Sequence, residues 1–269
     1  MSRLRGTALA AGYLGLTLPS MLVQALLLKS GSRLQASFPM YYHRAVTRML
    51  GIRVHVEGAL PKAGPVLIAA NHVSWLDIPV MSTVMPLSFV AKSDVAAWPF
   101  FGWLAKLQRS VFIDRTRRVR AMHQKTEIEK RLSAGDVLVL FAEGTSSDGN
   151  RVLPFRSALL SAAGADGQDG GPPVYPVSIA YTHRWGLPMG VQGRPEYAWY
   201  GDMELLPHLW NVFKRGPIDV TVCFHPPETV GSAGGRKALA ELCRQRVRGG
   251  LAEALTGRRA APAERAAGA

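Results

Sequence analysis

The sequence predicts an α/β fold, a mixed sheet flanked by helices, preceded by an N-terminal membrane helix. Three observations carry this. Short apolar runs of strand length recur at 65–70, 87–92 and 136–142, separated by stretches long enough for helices. His72, Asp77 and Glu143 each stand just past the end of such a run, where α/β proteins place chemistry. Ahead of them, residues Gly6 to Leu28 carry no charge, and about 20 apolar residues suffice to cross a bilayer.

The chain of 269 residues is long enough for one sizeable α/β core. It divides into an N-terminal membrane anchor over 1–33, a single α/β domain over 34–256 and an Ala/Arg/Pro-rich tail over 257–269 expected to be disordered. A formal net charge of +13 favours a polyanion, either nucleic acid or an anionic membrane surface. No zinc-finger spacing, basic-zipper pattern or RNA-binding aromatic motif supports nucleic acid. The two cysteines, Cys223 and Cys243, suggest no disulfide framework, and Cys223 sits in a strand-like run as a small core residue.

Within the uncharged N-terminal run, Pro19 and Gln24 interrupt the apolar pattern. The segment can span the bilayer, or kink at Pro19 and lie in one leaflet. Arg3 and Arg5 before it and Lys29 and Arg33 after it leave its orientation open. Residues 34–50 read as a helix ending before Gly51, and Ile52–Glu57 alternates as a half-buried strand with His55 on its polar face.

The strand at 65–70 runs into Asn71-His72-Val73-Ser74-Trp75-Leu76-Asp77. Five helical positions are about 500° of rotation, so His72 and Asp77 diverge on one regular helix. They meet if His72 lies in the turn and Asp77 in the first turn of the next helix. Ser74 suits that, since Ser-x-x-acid is a capping-box-like start with Ser74 as N-cap and Asp77 at N3. Asp77 can then accept the imidazole N–H, leaving His72 to act as general base. The spacing equally admits a bare helix cap beside a loop histidine.

Further on, Ala96–Lys106 is rich in aromatic residues and fits either core packing or contact with a membrane interface. Ser110–Ile113 reads as a buried strand ending at Asp114-Arg115, where an Arg can grip a phosphate or carboxylate bidentately. The strand at 136–142 ends at Glu143-Gly144-Thr145. A carboxylate beside exposed N–H groups there can hold a polar head and stabilise an oxyanion, or simply make a tight strand exit. A strand at 174–180, the run Tyr197–Tyr200, a helix near 204–214 and a strand at 218–224 extend the sheet, and a basic helix over 235–256 closes the fold.

His72-x4-Asp77, Val111–Arg115, Phe141–Thr145 and Val174–Val177 follow one another in this order. The series resembles the four blocks of the glycerolipid (lysophospholipid) acyltransferase family over about residues 50–180. The resemblance implies that residues 34–256 are an acyltransferase domain and that the reaction is O-acyl transfer from an acyl thioester to a lysolipid hydroxyl. His72 and Asp77 are the implied catalytic pair, with Arg115, Glu143, Gly144 and Thr145 holding the acceptor's polar head. No cofactor and no metal is implied. Acyl carrier protein or coenzyme A brings the acyl thioester as co-substrate, and the other expected partners are a lysolipid and an anionic membrane surface. Cytosolic donors argue against a signal peptide at the N-terminus and imply a bacterial inner-membrane location with the site on the cytoplasmic side.

Two positions depart from the family pattern. Ala142 stands where Pro is usual, and Ser146 stands where lysophosphatidate enzymes commonly carry Arg. The run Glu143–Arg156, together with Trp75–Pro79, Phe89–Ser93 and Trp199–Met203, looks like the bacterial lyso-ornithine lipid acyltransferases. That likeness makes Asp148 a candidate partner for the ornithine ammonium. The alternatives are a lysophosphatidate acyltransferase and, from another class, a membrane lipid-binding protein without turnover.

Overall fold

A computed structural model describes residues 2–62, 64–113, 127–164 and 171–257. The chain opens with helix α1 (Ser2–Lys29), which holds Pro19 in its interior. A 3₁₀ turn at Arg33–Gln35 leads into α2 (Phe38–Leu50). Pro39 suits the first turn of α2, and Gly51 ends it in the left-handed region at φ 77°. Then follow β1 (Ile52–Gly58), β2 (Val66–Ala70), α3 (Asp77–Val84), β3 (Ser88–Lys92), α4 (Phe101–Leu107) and β4 (Val111–Ile113). After a helix described over 127–133 (α5) come β5 (Val137–Phe141), β6 (Val174–Arg184), β7 (Leu187–Pro188), α6 (Leu205–Lys214), β8 (Ile218–Phe224) and α7 (Arg236–Thr256).

The strands form one mixed sheet of order β1-β8-β6-β2-β5-β3-β4, with the short β7 hairpinned onto β6. From β6 to β4 all neighbours are parallel, while β8 pairs antiparallel with β6 and parallel with β1. β2 lies in the parallel part and is buried along its whole length, as a strand covered on both faces must be. Its side chains alternate between two cores. Val66, Ile68 and Ala70 face one with residues of α2 and α3, and Leu67 and Ala69 face the other with α7 and α5. Because β2, β5 and β3 are parallel, the residues just past them, His72, Glu143 and Lys92–Ser93, share one edge of the sheet.

Tyr197–Tyr200 does not extend the sheet. It follows a 3₁₀ turn as irregular chain, tied by the Trp199 N–H to Val73 O at 2.9 Å. Cys223 is half-buried rather than a core residue, and neither cysteine is in a disulfide among the described residues.

α1 is apolar and long enough to cross a membrane, with a mean hydropathy of 1.5. One of its faces is not free for lipid. Leu9, Ala10, Tyr13 and Leu16 pack on the first core, and Arg5 donates to Phe213 O at 3.1 Å. The opposite face exposes Leu14, Leu18, Leu22 and Leu26, at a spacing of four. The packed face depends on Gly6. A Cβ there would lie 3.1 Å from the Trp210 ring and 3.0 Å from Lys214 Cγ. Gly6→Leu should therefore lift α1 from α6 and cost about 1–3 kcal/mol, the usual penalty of overpacking. Thermal denaturation in detergent checks this, and an unchanged Tm would show that the helix is not docked.

Candidate active site

The loop after β2 is built around a carboxylate. Asp77 is fully buried. Its Oδ2 accepts three N–H groups, from His72 Nδ1 at 2.7 Å, Val73 N at 2.7 Å and Ser74 N at 3.0 Å. Its Oδ1 accepts the Tyr181 hydroxyl at 2.7 Å. Burial, and next the Asp77 charge, hold the Tyr181 phenol well above its usual range, so it stays a donor. Four donors are what a buried carboxylate needs to remain bearable.

This differs from the expected helix start. Ser74 is not the N-cap; α3 begins at Asp77 itself and Leu76 precedes it. Ser-x-x-acid fits either arm of a capping box, and here only the acid's arm is made, with Asp77 reaching back to the Ser74 N–H. Asp77 is thus the first residue of α3, the histidine's partner and the acceptor for the loop N–H groups before it.

A carboxylate can only accept, so His72 Nδ1 carries the ring proton and Nε2 keeps its lone pair. The ring stacks on Phe141 at 4.0 Å with 13° between planes, and its side chain is 19% exposed. Two residues that the motif did not single out hold this arrangement. Asn71 exchanges hydrogen bonds with Ile179, at 3.0 and 2.8 Å, clamping the end of β2 to β6. Tyr181 closes the carboxylate from β6. Their long sequence separation hides both from a reading of local motifs.

His72 opens on a cavity of about 400 Å³. Its wall is mainly apolar, with Tyr13 and Met21 from α1, Val46 from α2, and Trp98, Phe101 and Leu104 around α4. In the aromatic segment 96–106, Trp98 and Phe101 line the cavity while Trp103 is 66% exposed. Gly144, Thr145 and Ser146 line the cavity beside His72, and so does Lys92 at the end of β3. Among the described residues it is the one Lys or Arg in this wall.

Glu143 and Asp148 do not line the cavity, contrary to the expectation of substrate contact. Glu143 is buried behind His72, whose N–H it faces through Oε1 at 3.4 Å, and its Oε2 has no hydrogen-bond partner among the described residues. Burial lifts its carboxyl from the ordinary 4.5 to about 8, against the pull of the His72 and Leu153 N–H groups and with help from the Asp77 charge. Asp148 closes an Asx turn, accepting from Asn150 N at 3.1 Å and Asn150 Nδ2 at 3.3 Å. Arg115 lies outside the described residues.

Comparison with known proteins shows the family. The Acyltransferase family model matches residues 51–180. Over 251 residues the chain is 47% identical to the lyso-ornithine lipid O-acyltransferase of Brucella abortus (strain 2308), covering 92% of this chain and 94% of that one. The chain belongs to the Acyltransferase family. This acyltransferase is also 32% identical, over 211 residues, to the 1-acyl-sn-glycerol-3-phosphate acyltransferase of Neisseria meningitidis serogroup B (strain MC58), covering 78% of this chain and 79% of that one. Its fold matches the crystal structure of the 1-acyl-sn-glycerophosphate acyltransferase PlsC from Thermotoga maritima with a TM-score of 0.66, at 20% identity, over 97% of this chain and all of that one.

Two outcomes follow from the acyltransferase's carboxylates. Asp77→Asn turns an acceptor into a mixed group facing only donors, so it should lower Tm and also cut the transfer rate by at least about 10²-fold; a loss of stability with full rate would reduce Asp77 to a cap. For Glu143, the folded chain keeps between pH 4.5 and about 8 a proton that the unfolded chain releases. Its contribution to stability therefore falls as pH rises through that window. Glu143→Gln should flatten this fall, as read from Tm at pH 5 and pH 8. An identical pH dependence in the variant would contradict it.

Proposed function

We propose that this chain transfers a fatty acyl group from an acyl thioester to the hydroxyl of a lysolipid, with lyso-ornithine lipid as the acceptor and ornithine lipid as the product. The observation that supports the reaction is His72, held by Asp77 with its Nε2 lone pair free, opening on a mainly apolar cavity. Nε2 takes the proton of the acceptor hydroxyl, and the oxygen attacks the thioester carbonyl. The backbone N–H groups of Thr145 and Ser146 are the proposed donors to the oxyanion, since that of Gly144 donates to Phe141 O at 3.1 Å. Collapse of the adduct breaks the C–S bond, and the imidazolium returns its proton to the leaving thiolate. Asp77 stabilises the imidazolium through the same hydrogen bond. The thiol belongs to phosphopantetheine, on acyl carrier protein or coenzyme A. Neither Ser146 nor Ser147 is a nucleophile in this scheme, since their hydroxyls bond to Trp199 O at 2.5 Å and Arg151 O at 3.1 Å.

Acceptor choice is argued from charge. A phosphate monoester carries close to two negative charges near neutral pH, its second pKa being about 6. The ornithine head carries one carboxylate and one ammonium. Ser146, in the cavity wall, offers no cation, and Lys92 supplies one. We assign Lys92 and Arg115 to the carboxylate. Glu143 we assign to fixing the His72 backbone, and Asp148 to shaping the loop, since Asn150 already takes its carboxylate. The acceptor named for the Brucella relative supports the same choice. The exposed leucine stripe of α1 and the net charge of +13 support attachment to the anionic cytoplasmic face of the bacterial inner membrane.

The test is kcat/KM for lyso-ornithine lipid and for lysophosphatidate with one thioester donor. Lyso-ornithine lipid should be preferred, and Ser146→Arg should narrow the preference. A clear preference for lysophosphatidate, or a ratio untouched by Ser146→Arg, would contradict the electrostatic argument.

A further inference from the structure

The ornithine head assigned to this site carries two charges, and the cavity wall answers only one of them with an opposite charge. Lys92 is assigned to the carboxylate, but among the described residues no Asp or Glu lines the cavity to take the ammonium. Asp148 is taken up by its own turn. Polar side chains of the wall are occupied as well. Gln24 donates to Gln35 O at 2.9 Å and Leu107 O at 3.0 Å. Gln108 donates to Leu87 O at 3.1 Å and faces His43 Nε2 at 3.2 Å. These bonds are spent on holding α1, α2 and α4 together.

What the wall offers near His72 is aromatic surface. Trp98 and Trp199 both line the cavity, and each is only half-buried. Trp199 is fixed at three atoms. Its backbone N–H donates to Val73 O at 2.9 Å, its carbonyl accepts the Ser146 hydroxyl at 2.5 Å, and its Nε1 donates to Met203 O at 2.8 Å. Val73 follows His72 directly, so these bonds hold Trp199 at the His72 end of the cavity. Trp98, between β3 and α4, meets it edge to face, with ring centroids 5.9 Å apart and planes at 90°. In such a pair each ring keeps at least one face uncovered by the other. With Nε1 spent on Met203, the Trp199 ring has its apolar area and its electron-rich faces left to offer. An indole face attracts an ammonium, and its negative charge density opposes a phosphate. The pair thus separates the two acceptors in its own right, beside the cation that Ser146 withholds.

We propose that Trp98 and Trp199 are specificity-determining residues that hold the ammonium of the acceptor head by cation–π contact, with Ser146 fixing Trp199 through its carbonyl. The proposal rests on lyso-ornithine lipid being the acceptor. Rings that only lined an acyl chain would serve every lysolipid alike, and this difference is open to experiment.

The test uses the full-length protein in detergent with one acyl thioester and three acceptors. These are lyso-ornithine lipid, its Nδ-acetyl form, which removes the charge, and its Nδ-trimethyl form, which keeps the charge but donates no hydrogen bond. In the wild type, kcat/KM for the free ammonium should exceed that for the acetyl form by about two- to thirtyfold, the usual range for a cation on an indole face. The trimethyl form should be used nearly as well as the free ammonium, since aromatic faces bind quaternary ammonium groups. Trp98→Leu and Trp199→Leu should each bring the ammonium-to-acetyl ratio toward one, chiefly through KM, while kcat on the acetyl form is kept. Trp98→Phe and Trp199→Phe should leave intermediate ratios, and they carry the test if a Leu variant does not fold. Equal use of the ammonium and acetyl forms by the wild type overturns the proposal. So does a trimethyl form used no better than the acetyl form, or a ratio that survives substitution at both positions. A wild type that acylates lysophosphatidate and not lyso-ornithine lipid removes the acceptor reading and this proposal with it. A preference for lyso-ornithine lipid that ignores the ammonium removes the proposal alone.

Discussion

The site depends on a charge that should not be comfortable where it is. The Asp77 carboxylate is sealed from water at the edge of the sheet, and it is tolerated because four donors converge on it. Two are backbone N–H groups of the loop, one is the His72 imidazole and one is a phenol from β6. Each donor gives up its freedom to satisfy the carboxylate, so the loop, the histidine tautomer and the docking of α3 are settled by one atom pair. The parallel pairing of β2 with β6 brings Tyr181 to that spot. Asn71, bonded to both the N–H and the C=O of Ile179, keeps the two strand ends from slipping. An imidazole held this way has little left to reorganise.

The same economy shapes the lipid side. α1 does not merely tether the domain. Its inner face supplies Tyr13, Thr17, Met21 and Gln24 to the cavity, while the leucine stripe faces outward. The cavity therefore lies between the sheet edge and a helix long and apolar enough to cross a membrane. Gln24 would be costly in a lone apolar helix, and it is retained where it pins α1 to Gln35 and Leu107. This makes the anchor and the chemistry one structure: a change that moves α1 also moves a wall of the cavity.

Much of this was legible in the chain. The buried strands stand out because parallel strands covered on both faces read as unbroken apolar runs, and the chemistry-bearing residues follow them directly. The meeting of His72 and Asp77 was legible from the turn between strand and helix. The cap was assigned to the wrong partner because Ser-x-x-acid describes two hydrogen bonds, and spacing does not say which is made. Glu143 and Asp148 were expected at the substrate because motif order marks proximity along the chain, whereas one turns beneath the His72 backbone and the other into its own turn. Lys92, Tyr181 and the Gln24–His43–Gln108 group were missed for a common reason. Each meets residues from other elements, and local sequence, which marks Gln24 only as a polar break in an apolar run, does not show those partners.

The central claim is that His72 is the base for direct transfer from thioester to lipid hydroxyl, and its most direct measurement is thiol release by His72→Ala. The protein is given an acyl thioester with and without lysolipid, and folding is verified by circular dichroism. The account predicts that the wild type releases thiol only when lysolipid is present, without a burst from an acyl-enzyme. It also predicts that the folded variant loses about 10²–10⁴-fold of that rate, the usual worth of general-base catalysis. A folded His72→Ala protein that keeps more than about a tenth of the activity, far above that range, would contradict it.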